Sequence, residues 1–198
     1  MSEALLLDDP PVTIAAFDTF LAGQSDDRPW ELVEGRIVGM TNPSERHEQI
    51  VANIGVSLRQ AVGPTGCKIY FGGIRVQRSD EARGINKARP DLLVRCGSVG
   101  AKNYVTDPLV IIEVLSPSTM DVDRGDKLRF YKRLPTLAHI VLVYQDQMRA
   151  EHYRRVDTSW ELEVLTQPTE MLSLEALGCG LPLADAYAEV EPGVELGA

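Results

Sequence analysis

A run of strand-forming residues at 110–115, Val-Ile-Ile-Glu-Val-Leu, organises the pattern of apolar and polar positions along the chain. Five apolar residues, most of them β-branched, surround a single carboxylate, Glu113. Such a run predicts a central strand that is covered on both faces. Burying a bare carboxylate there is costly, so Glu113 requires a cationic partner, a metal ion or a water-filled cleft.

Further apolar runs predict the remaining strands. One of them begins directly after Asp91, 22 positions before Glu113, in the segment Arg-Pro-Asp-Leu-Leu-Val. The others are hairpins at 30–40, with Glu34-Gly35 at the turn, and at 150–156 with 160–166, a strand at 68–77 bent at Gly72-Gly73, and a buried strand at 139–144. The segment at 97–108 is expected to be a loop.

Helical spacing predicts three helices, at about 13–21, 45–62 and 121–134, with Ser44 and the segment 116–119 as N-terminal caps of the second and third. In the second helix, His47 begins an inward stripe with Ile50, Val51 and Ile54. In the third helix, Lys127 occupies the first inward position of a stripe that continues with Phe130, Tyr131 and Leu134. Each stripe therefore directs one polar side chain toward the core.

The chain has 198 residues, of which 44% are hydrophobic and 25% charged, and this composition is typical of one globular domain of α/β or α+β class. We expect an N-terminal extension with a short helix over residues 1–28 and a single domain over 29–198. No apolar run approaches the roughly 20 residues of a membrane span. Acidic residues near the N-terminus argue against a signal peptide, so we expect a cytoplasmic protein without a membrane partner.

The net charge of −9 argues against a surface built for nonspecific nucleic-acid binding. It leaves room for a locally basic cleft, because arginines and lysines concentrate at 75–89 and at 124–133. A solvated charged surface explains either stretch equally well.

Three cysteines, Cys67, Cys96 and Cys179, are widely spaced and form no C-x-x-C motif. We interpret them as buried thiols that act as small hydrophobic side chains. A zinc site is therefore not expected.

Asp91, Glu113 and Lys127 form the predicted chemical centre. Carboxylate oxygens together with water and a substrate phosphate are the ligands that Mg²⁺ prefers, and an ammonium group nearby can stabilise a phosphoryl transition state. The residues alone also allow plainer interpretations. Asp91 can shape a turn after Pro90, and Lys127 can neutralise Glu113 as a buried pair or form a helical pair with Asp123.

Five motifs stand along the chain: the segment 30–36 (Trp-Glu-Leu-Val-Glu-Gly-Arg), His47, the segment 89–92, the segment 113–119 (Glu-Val-Leu-Ser-Pro-Ser-Thr), and the spacing Asp123, Lys127, Tyr131. Together they resemble those of the Uma-type putative restriction endonuclease family of the PD-(D/E)XK nuclease superfamily, and the resemblance covers about residues 29 to 187. The last two motifs are the most specific.

The resemblance implies a restriction-endonuclease-like fold, with a mixed central β-sheet flanked by helices, and Mg²⁺-dependent hydrolysis of phosphodiester bonds, with Mn²⁺ as a possible substitute. It implies that Asp91 and Glu113 are metal ligands, joined by the backbone carbonyl of Val114. Lys127 and His47 complete the catalytic set, with His47 bonding a phosphate or a water. Glu31 matches a recurring acid of the family, although a hairpin position is as easily structural.

One position departs from the superfamily signature, because Leu115 stands where a lysine is expected. Lys127 would then have to reach the site from the following helix. Two hypotheses remain: an endonuclease acting on nucleic acid, with DNA the expected substrate, or an inactive nuclease-fold protein that binds nucleic acid or a protein partner. A homodimer is expected if two strands of a duplex are cut by symmetric sites.

Overall fold

The computed structural model describes residues 10–25, 28–40, 42–78, 82–116 and 120–191. Its helices are α1 (Ile14–Ala22), α2 (Glu45–Val62), α3 (Met120–Val122), α4 (Leu128–Lys132) and α5 (Leu183–Ala186). Its strands are β1 (Trp30–Val33), β2 (Arg36–Gly39), β3 (Lys68–Phe71), β4 (Arg75–Val76), β5 (Leu92–Arg95), β6 (Tyr104–Val105), β7 (Val110–Leu115), β8 (His139–Tyr144), β9 (Ala150–Val156), β10 (Ser159–Leu165), β11 (Met171–Leu174) and β12 (Cys179–Pro182).

Six strands form the central sheet, in the order β10-β9-β8-β7-β5-β3. β7 and β8 run parallel, and the other neighbours pair antiparallel. Every residue of β7 and of β8 is buried, as their uninterrupted apolar runs predict. The predicted mixed sheet flanked by helices is therefore confirmed.

Helices cover both faces of this sheet. α2 packs its buried stripe, including Ile50, Ile54 and Leu58, against one face. α4 packs Phe130 and Tyr131 against the other face. The predicted bounds of α2 and its Ser44 cap are confirmed, since Ser44 Oγ accepts a hydrogen bond from His47 N at 3.2 Å. No helix within the described segments is long and apolar enough to cross a membrane.

The third predicted helix is interrupted by a π-helical turn at Asp123–Lys127 that joins α3 to α4. The N–H of Leu128 donates to the carbonyl of Asp123, five residues back, which is the bond that defines this turn. The turn buries both Asp123 and Lys127. The predicted cap at 117–119 lies outside the described residues.

Two other segments differ from the sequence-based expectation. The strand predicted at 68–77 has its predicted bend at Gly72-Gly73, but its two halves belong to different sheets, since β3 pairs with β5 while β4 pairs with β6. β6 itself lies in the segment expected to be a loop. Its two residues carried too little periodicity to predict a strand.

The interpretation of Cys67 and Cys96 as free thiols is wrong, because they form a disulfide. Cys67 precedes β3 and Cys96 follows β5, and the antiparallel register pairs the adjacent residues Lys68 and Arg95. The pairing therefore follows from strand register, which spacing along the sequence does not reveal. Cys179 is free.

We expect the unfolded, unreduced chain to present one reactive thiol and the reduced chain three. Thiol titration in denaturant, with and without prior reduction, measures this difference. Cys96→Ser should lower the unfolding free energy by about 3–4 kcal/mol in a chain-entropy estimate for a loop of this size. Cys179→Ser serves as the control, and three reactive thiols before reduction would contradict the pairing.

A buried histidine pair links β8 to β9. His139 Nε2 accepts a hydrogen bond from Ala176 N at 3.2 Å, so its proton lies on Nδ1, which donates to His152 Nε2 at 2.9 Å. Burial, followed by the neighbouring His152, lowers the pKa of His139 to about 4. Burial also lowers the pKa of His152, so both rings are neutral in the folded protein at pH 7.

Because the pKa of His139 is lower in the folded chain than its ordinary value of 6.5, its contribution to stability is complete above about pH 6.5 and is lost as the pH falls toward 4. At about pH 5, protonation linked to this group alone should lower the unfolding free energy by about 2 kcal/mol relative to its value above pH 6.5. His139→Gln should reduce the pH dependence of urea unfolding between about pH 7.5 and 5 by that amount. An unchanged pH dependence would contradict a neutral buried ring.

Candidate active site

Strand register brings the first two predicted acids together. β5 and β7 pair with Leu92 opposite Ile112, so Asp91, one residue before β5, faces Glu113. Asp91 N donates to Glu113 Oε2 at 3.2 Å, and Val114 N donates to Asp91 Oδ2 at 2.7 Å. Each carboxylate is thus held by a backbone amide of the other segment.

Lys127 reaches the same place from the π-helical turn. Its Nζ lies 2.9 Å from Glu31 Oε2, 3.0 Å from Asp123 Oδ1 and 3.3 Å from Glu113 Oε1. None of these four side chains is more than 4% exposed. One ammonium therefore faces three buried carboxyl groups, and Asp91 is a fourth acid beside them.

This excess of acids shifts the pKa values of the site. Burial, opposed by Lys127 and reinforced by the neighbouring acids, raises the pKa of Glu113 well above its ordinary value. Burial also raises the pKa of Glu31 against the same lysine. Burial lowers the pKa of Lys127, but the surrounding carboxylates outweigh it and the pKa is raised well above its ordinary value. Lys127 is charged, and the site is short of positive charge.

Tyr131 donates a hydrogen bond from its hydroxyl to Glu113 Oε1 at 2.6 Å. Burial and the charge of Glu113 raise the pKa of Tyr131 well above its ordinary value, so it keeps its proton and acts as a donor. The sequence pattern placed Tyr131 in the apolar stripe and missed this contact. The signal was present in its spacing, four residues after Lys127 on the same helical face.

Glu31 belongs to the site although its position in a hairpin suggested a structural role. Its Oε2 faces Lys127, and its Oε1 accepts a hydrogen bond from the backbone N–H of Arg89. The β1–β2 hairpin is thereby joined to the segment that carries Asp91.

His47 lies in the first turn of α2, with its Nε2 at 3.2 Å from Asp91 Oδ2 and its Nδ1 at 3.4 Å from Glu48 Oε1. Burial lowers the pKa of His47, but the hydrogen bond and charge of Asp91 and the charge of Glu48 outweigh it, and the pKa is raised. His47 therefore favours the protonated form more than a free histidine does.

A pocket of about 470 Å³ opens onto these groups. Its polar lining consists mainly of Glu31, His47, Arg89, Asp91, Glu113, Asp123, Lys127 and Gln145. All of the residues predicted for the site, His47, Asp91, Glu113, Val114 and Lys127, line this one pocket.

The donor set fits Mg²⁺ in its usual manner of binding. Among the described residues no group of three or more His, Cys, Asp and Glu side chains is arranged to hold a metal ion. Mg²⁺ needs only one or two carboxylates, with water and phosphate oxygens as its remaining ligands. Asp91 and Glu113 meet that requirement, and a divalent cation would relieve the excess of acids.

The Val114 carbonyl points toward the side of β7 on which Asp91 lies. The N–H and C=O of one strand residue face the same neighbour, and Val114 N faces Asp91. The next carbonyl along β7, that of Leu115, accepts from Gln145 N on the β8 side, which is the opposite direction. The Val114 oxygen is therefore available on the pocket side of β7.

Leu115 is buried against α4 and contributes to the same core cluster as Ile111, Phe130 and Tyr131. Glu113 lies between Ile111 and Leu115 on this face, because alternate residues of a strand share a face. Lys127 approaches from the helix that covers it. The helix thus supplies the Lys127 ammonium to the face of β7 that carries Leu115, the position at which the superfamily signature has its lysine.

Over residues 16–185 the chain matches the family described as Uma2, putative restriction endonuclease. The chain belongs to this family. Two proteins of Synechocystis sp., both described as uncharacterized, are similar to it: slr1290 is 28% identical over 159 residues, covering 79% of this chain and 82% of the relative. The second, sll1609, is 28% identical over 140 residues, covering 68% of this chain and 77% of the relative.

A solved structure also resembles this Uma2-family chain. It is described as a putative nuclease belonging to DUF820 from Anabaena variabilis, and it superposes with a TM-score of 0.71 at 20% identity, covering 90% of this chain and 98% of that chain. This similarity shows the shared nuclease-like fold.

Replacing Lys127 by alanine should lower the unfolding free energy by about 3–5 kcal/mol, because the buried carboxyl groups lose their counter-charge. Urea unfolding followed by circular dichroism measures the loss. The loss should shrink in acid, where protonated carboxyl groups need no partner.

Arg129→Ala is the matched control, since Arg129 is an exposed cation on the neighbouring helix whose ion pair with Asp126 is worth at most about 1 kcal/mol. Equal costs for Lys127→Ala and Arg129→Ala would contradict the central position of the Lys127 ammonium.

Proposed function

We propose that this Uma2-family chain is a Mg²⁺-dependent endonuclease that hydrolyses phosphodiester bonds, with DNA as its substrate and Mn²⁺ as an alternative ion. The observation that carries the proposal is the interlocked pair Asp91 and Glu113, beside a buried ammonium, in one open pocket. As a nuclease of the restriction type it would act in the cytoplasm.

Asp91, Glu113 and the Val114 carbonyl would hold the ion. Bound there, Mg²⁺ would polarise a phosphoryl oxygen and lower the pKa of a coordinated water. In the reaction a water oxygen bonds to phosphorus, the bond from phosphorus to one ester oxygen breaks, and the departing alkoxide takes up a proton.

The chain's own residues prepare this chemistry. Tyr131 and the Asp91 amide fix the two oxygens of Glu113, each through a hydrogen bond. Lys127 supplies a positive charge next to the position at which phosphoryl oxygens gain negative charge. His47, bonded to Asp91 at the pocket wall, would orient that carboxylate and donate to a phosphate oxygen.

A second function is favoured by one observation. Lys127 already directs its ammonium to three carboxyl groups, and the strand position of the superfamily lysine is Leu115. A chain in which Lys127 only balances buried acids would bind nucleic acid or a protein partner without cutting. Metal binding separates the two functions, because the inactive scaffold has no need of an ion.

We expect the protein to nick or linearise plasmid DNA in the presence of Mg²⁺ or Mn²⁺. Asp91→Asn or Glu113→Gln should lower the rate of plasmid cleavage by at least about a hundredfold, because each removes a charged metal ligand. Agarose electrophoresis with time measures the rate. Both substitutions keep a hydrogen-bond acceptor, so the fold should survive.

Asp126→Asn is the control acid, since Asp126 pairs with the exposed Arg36 and Arg129 and does not line the pocket. Calorimetric titration with Mg²⁺ and Mn²⁺ should show binding to the wild type and none to Asp91→Asn. Absence of both binding and cutting at millimolar metal would overturn the endonuclease and leave the scaffold. Parallel assays with structured RNA test the preference for DNA. Size-exclusion chromatography tests whether the protein is the homodimer expected for cutting both strands of a duplex.

A further inference from the structure

Another buried carboxylate, Glu151, lies at the start of β9 outside the pocket. It is 1% exposed and accepts four hydrogen bonds. Two come from tyrosines, Tyr144 OH to Oε1 at 2.8 Å and Tyr153 OH to Oε2 at 3.2 Å. The other two come from guanidinium groups, Arg124 Nη2 and Arg149 Nη2, each to Oε1 at 3.1 Å.

Glu151 remains ionised in this environment. Burial alone would raise its pKa, but the hydrogen bonds from Tyr144 and Arg149 and the charge of Arg124 outweigh burial, and the pKa is lowered. A fixed negative charge with four donors holds both arginines in defined positions. The Arg149 guanidinium also stacks over the Tyr144 ring, 5.3 Å from its centre.

The two arginines lie beside the candidate active site. Arg124 follows Asp123 directly in the π-helical turn that carries Lys127. Arg149 ends the turn between β8 and β9, and Gln145, at the start of that turn, lines the pocket. Ser44, another pocket residue, donates its hydroxyl to Gln145 Oε1 at 2.8 Å, which ties this turn to the beginning of α2.

Both guanidinium groups keep access to solvent. The Arg124 side chain is 47% exposed and that of Arg149 is 32% exposed. Two arginines that share one carboxylate keep one net positive charge, and each has N–H donors beyond the one that Glu151 uses. A planar guanidinium held in this manner suits the oxygens of a phosphate group.

Charge explains why such a pair is needed. Five acids line the pocket against one lysine and one arginine, and the whole chain has a net charge of −9. A polyanionic strand approaching this surface is repelled unless cations at the pocket edge offset the acids. Glu113 on β7 and Glu151 on β9 both lie opposite Leu142 of β8, so the carboxylate that holds Arg124 and Arg149 lies two strands from Glu113.

We propose that Arg124 and Arg149 form a phosphate-binding site that holds the nucleic-acid backbone next to the scissile bond, and that Glu151 is the positioning residue for both. The inference rests on the proposed function, because it takes the phosphodiester backbone as its ligand. The pair contacts phosphates and not bases, so it contributes affinity without sequence preference.

The test is binding of a fluorescently labelled duplex, followed by anisotropy at several salt concentrations with Ca²⁺ in place of Mg²⁺ to prevent cutting. Arg124→Ala and Arg149→Ala should each weaken binding about threefold to tenfold and reduce the slope of log affinity against log salt by about one. In the cleavage assay both should raise KM and leave kcat nearly unchanged.

Arg154→Ala is the matched control. Arg154 lies on the same strand as Glu151, is 45% exposed, and pairs with Glu161 and Glu175 away from the pocket. Arg154→Ala removes the same charge from the chain. If it weakens DNA binding as much as Arg124→Ala and Arg149→Ala do, a specific site at those two arginines is overturned. Thermal unfolding of each variant confirms that it is folded, and Arg124→Lys, which keeps the charge, replaces any alanine variant that is not.

Glu151→Gln separates positioning from simple charge. It makes the chain less negative, so if the arginines act only through overall charge, DNA binding strengthens and the positioning role is overturned. If Glu151 orients the guanidinium groups, binding weakens about as much as in the arginine variants. If the wild-type protein binds and cuts DNA while Arg124→Ala and Arg149→Ala bind DNA with unchanged affinity, this phosphate-binding site is overturned and the proposed endonuclease stands. If the wild-type protein neither binds nor cuts DNA, both proposals are overturned.

Discussion

The ammonium of Lys127 sits among three carboxyl groups that come from three distant parts of the chain. Glu31 belongs to the β1–β2 hairpin, Glu113 to the central strand β7, and Asp123 to the π-helical turn. Burying any of these acids without a counter-charge is costly. One cation therefore fixes how the hairpin, the sheet and the helix meet, and the pocket exists because they meet there.

The π-helical turn is what allows Lys127 to do this. A π turn adds one residue to a helix and shifts the side chains that follow. Here it buries Asp123 and Lys127 together, while Phe130 and Tyr131 still pack on the sheet. The helix thus stays anchored by apolar contacts and at the same time delivers a charge and a tyrosine hydroxyl to Glu113.

The sequence was informative where a single element carried the signal. The periodicity of 45–62 predicted α2 with its cap, the apolar run around Glu113 predicted the buried strand β7, and the inward stripe predicted that Lys127 faces the sheet. The disulfide of Cys67 and Cys96 and the two short strands β4 and β6 depend on strand register. These arise from tertiary packing, which one sequence without its fold does not specify.

For the function proposed above, the arrangement also explains how an acidic chain can accept a phosphodiester. Acids gathered tightly enough to bind a divalent ion would repel an anionic substrate, and burial together with the neighbouring acids raises the pKa values of Glu31 and Glu113. A bound phosphodiester would need positive charge in two places, inside the pocket, where Lys127 lies, and beside the pocket. In the proposed phosphate-binding site, the buried carboxylate of Glu151 holds Arg124 and Arg149 through hydrogen bonds. An overall charge of −9 is then compatible with the proposed substrate, because a backbone phosphate at short range would meet the field of these few fixed cations.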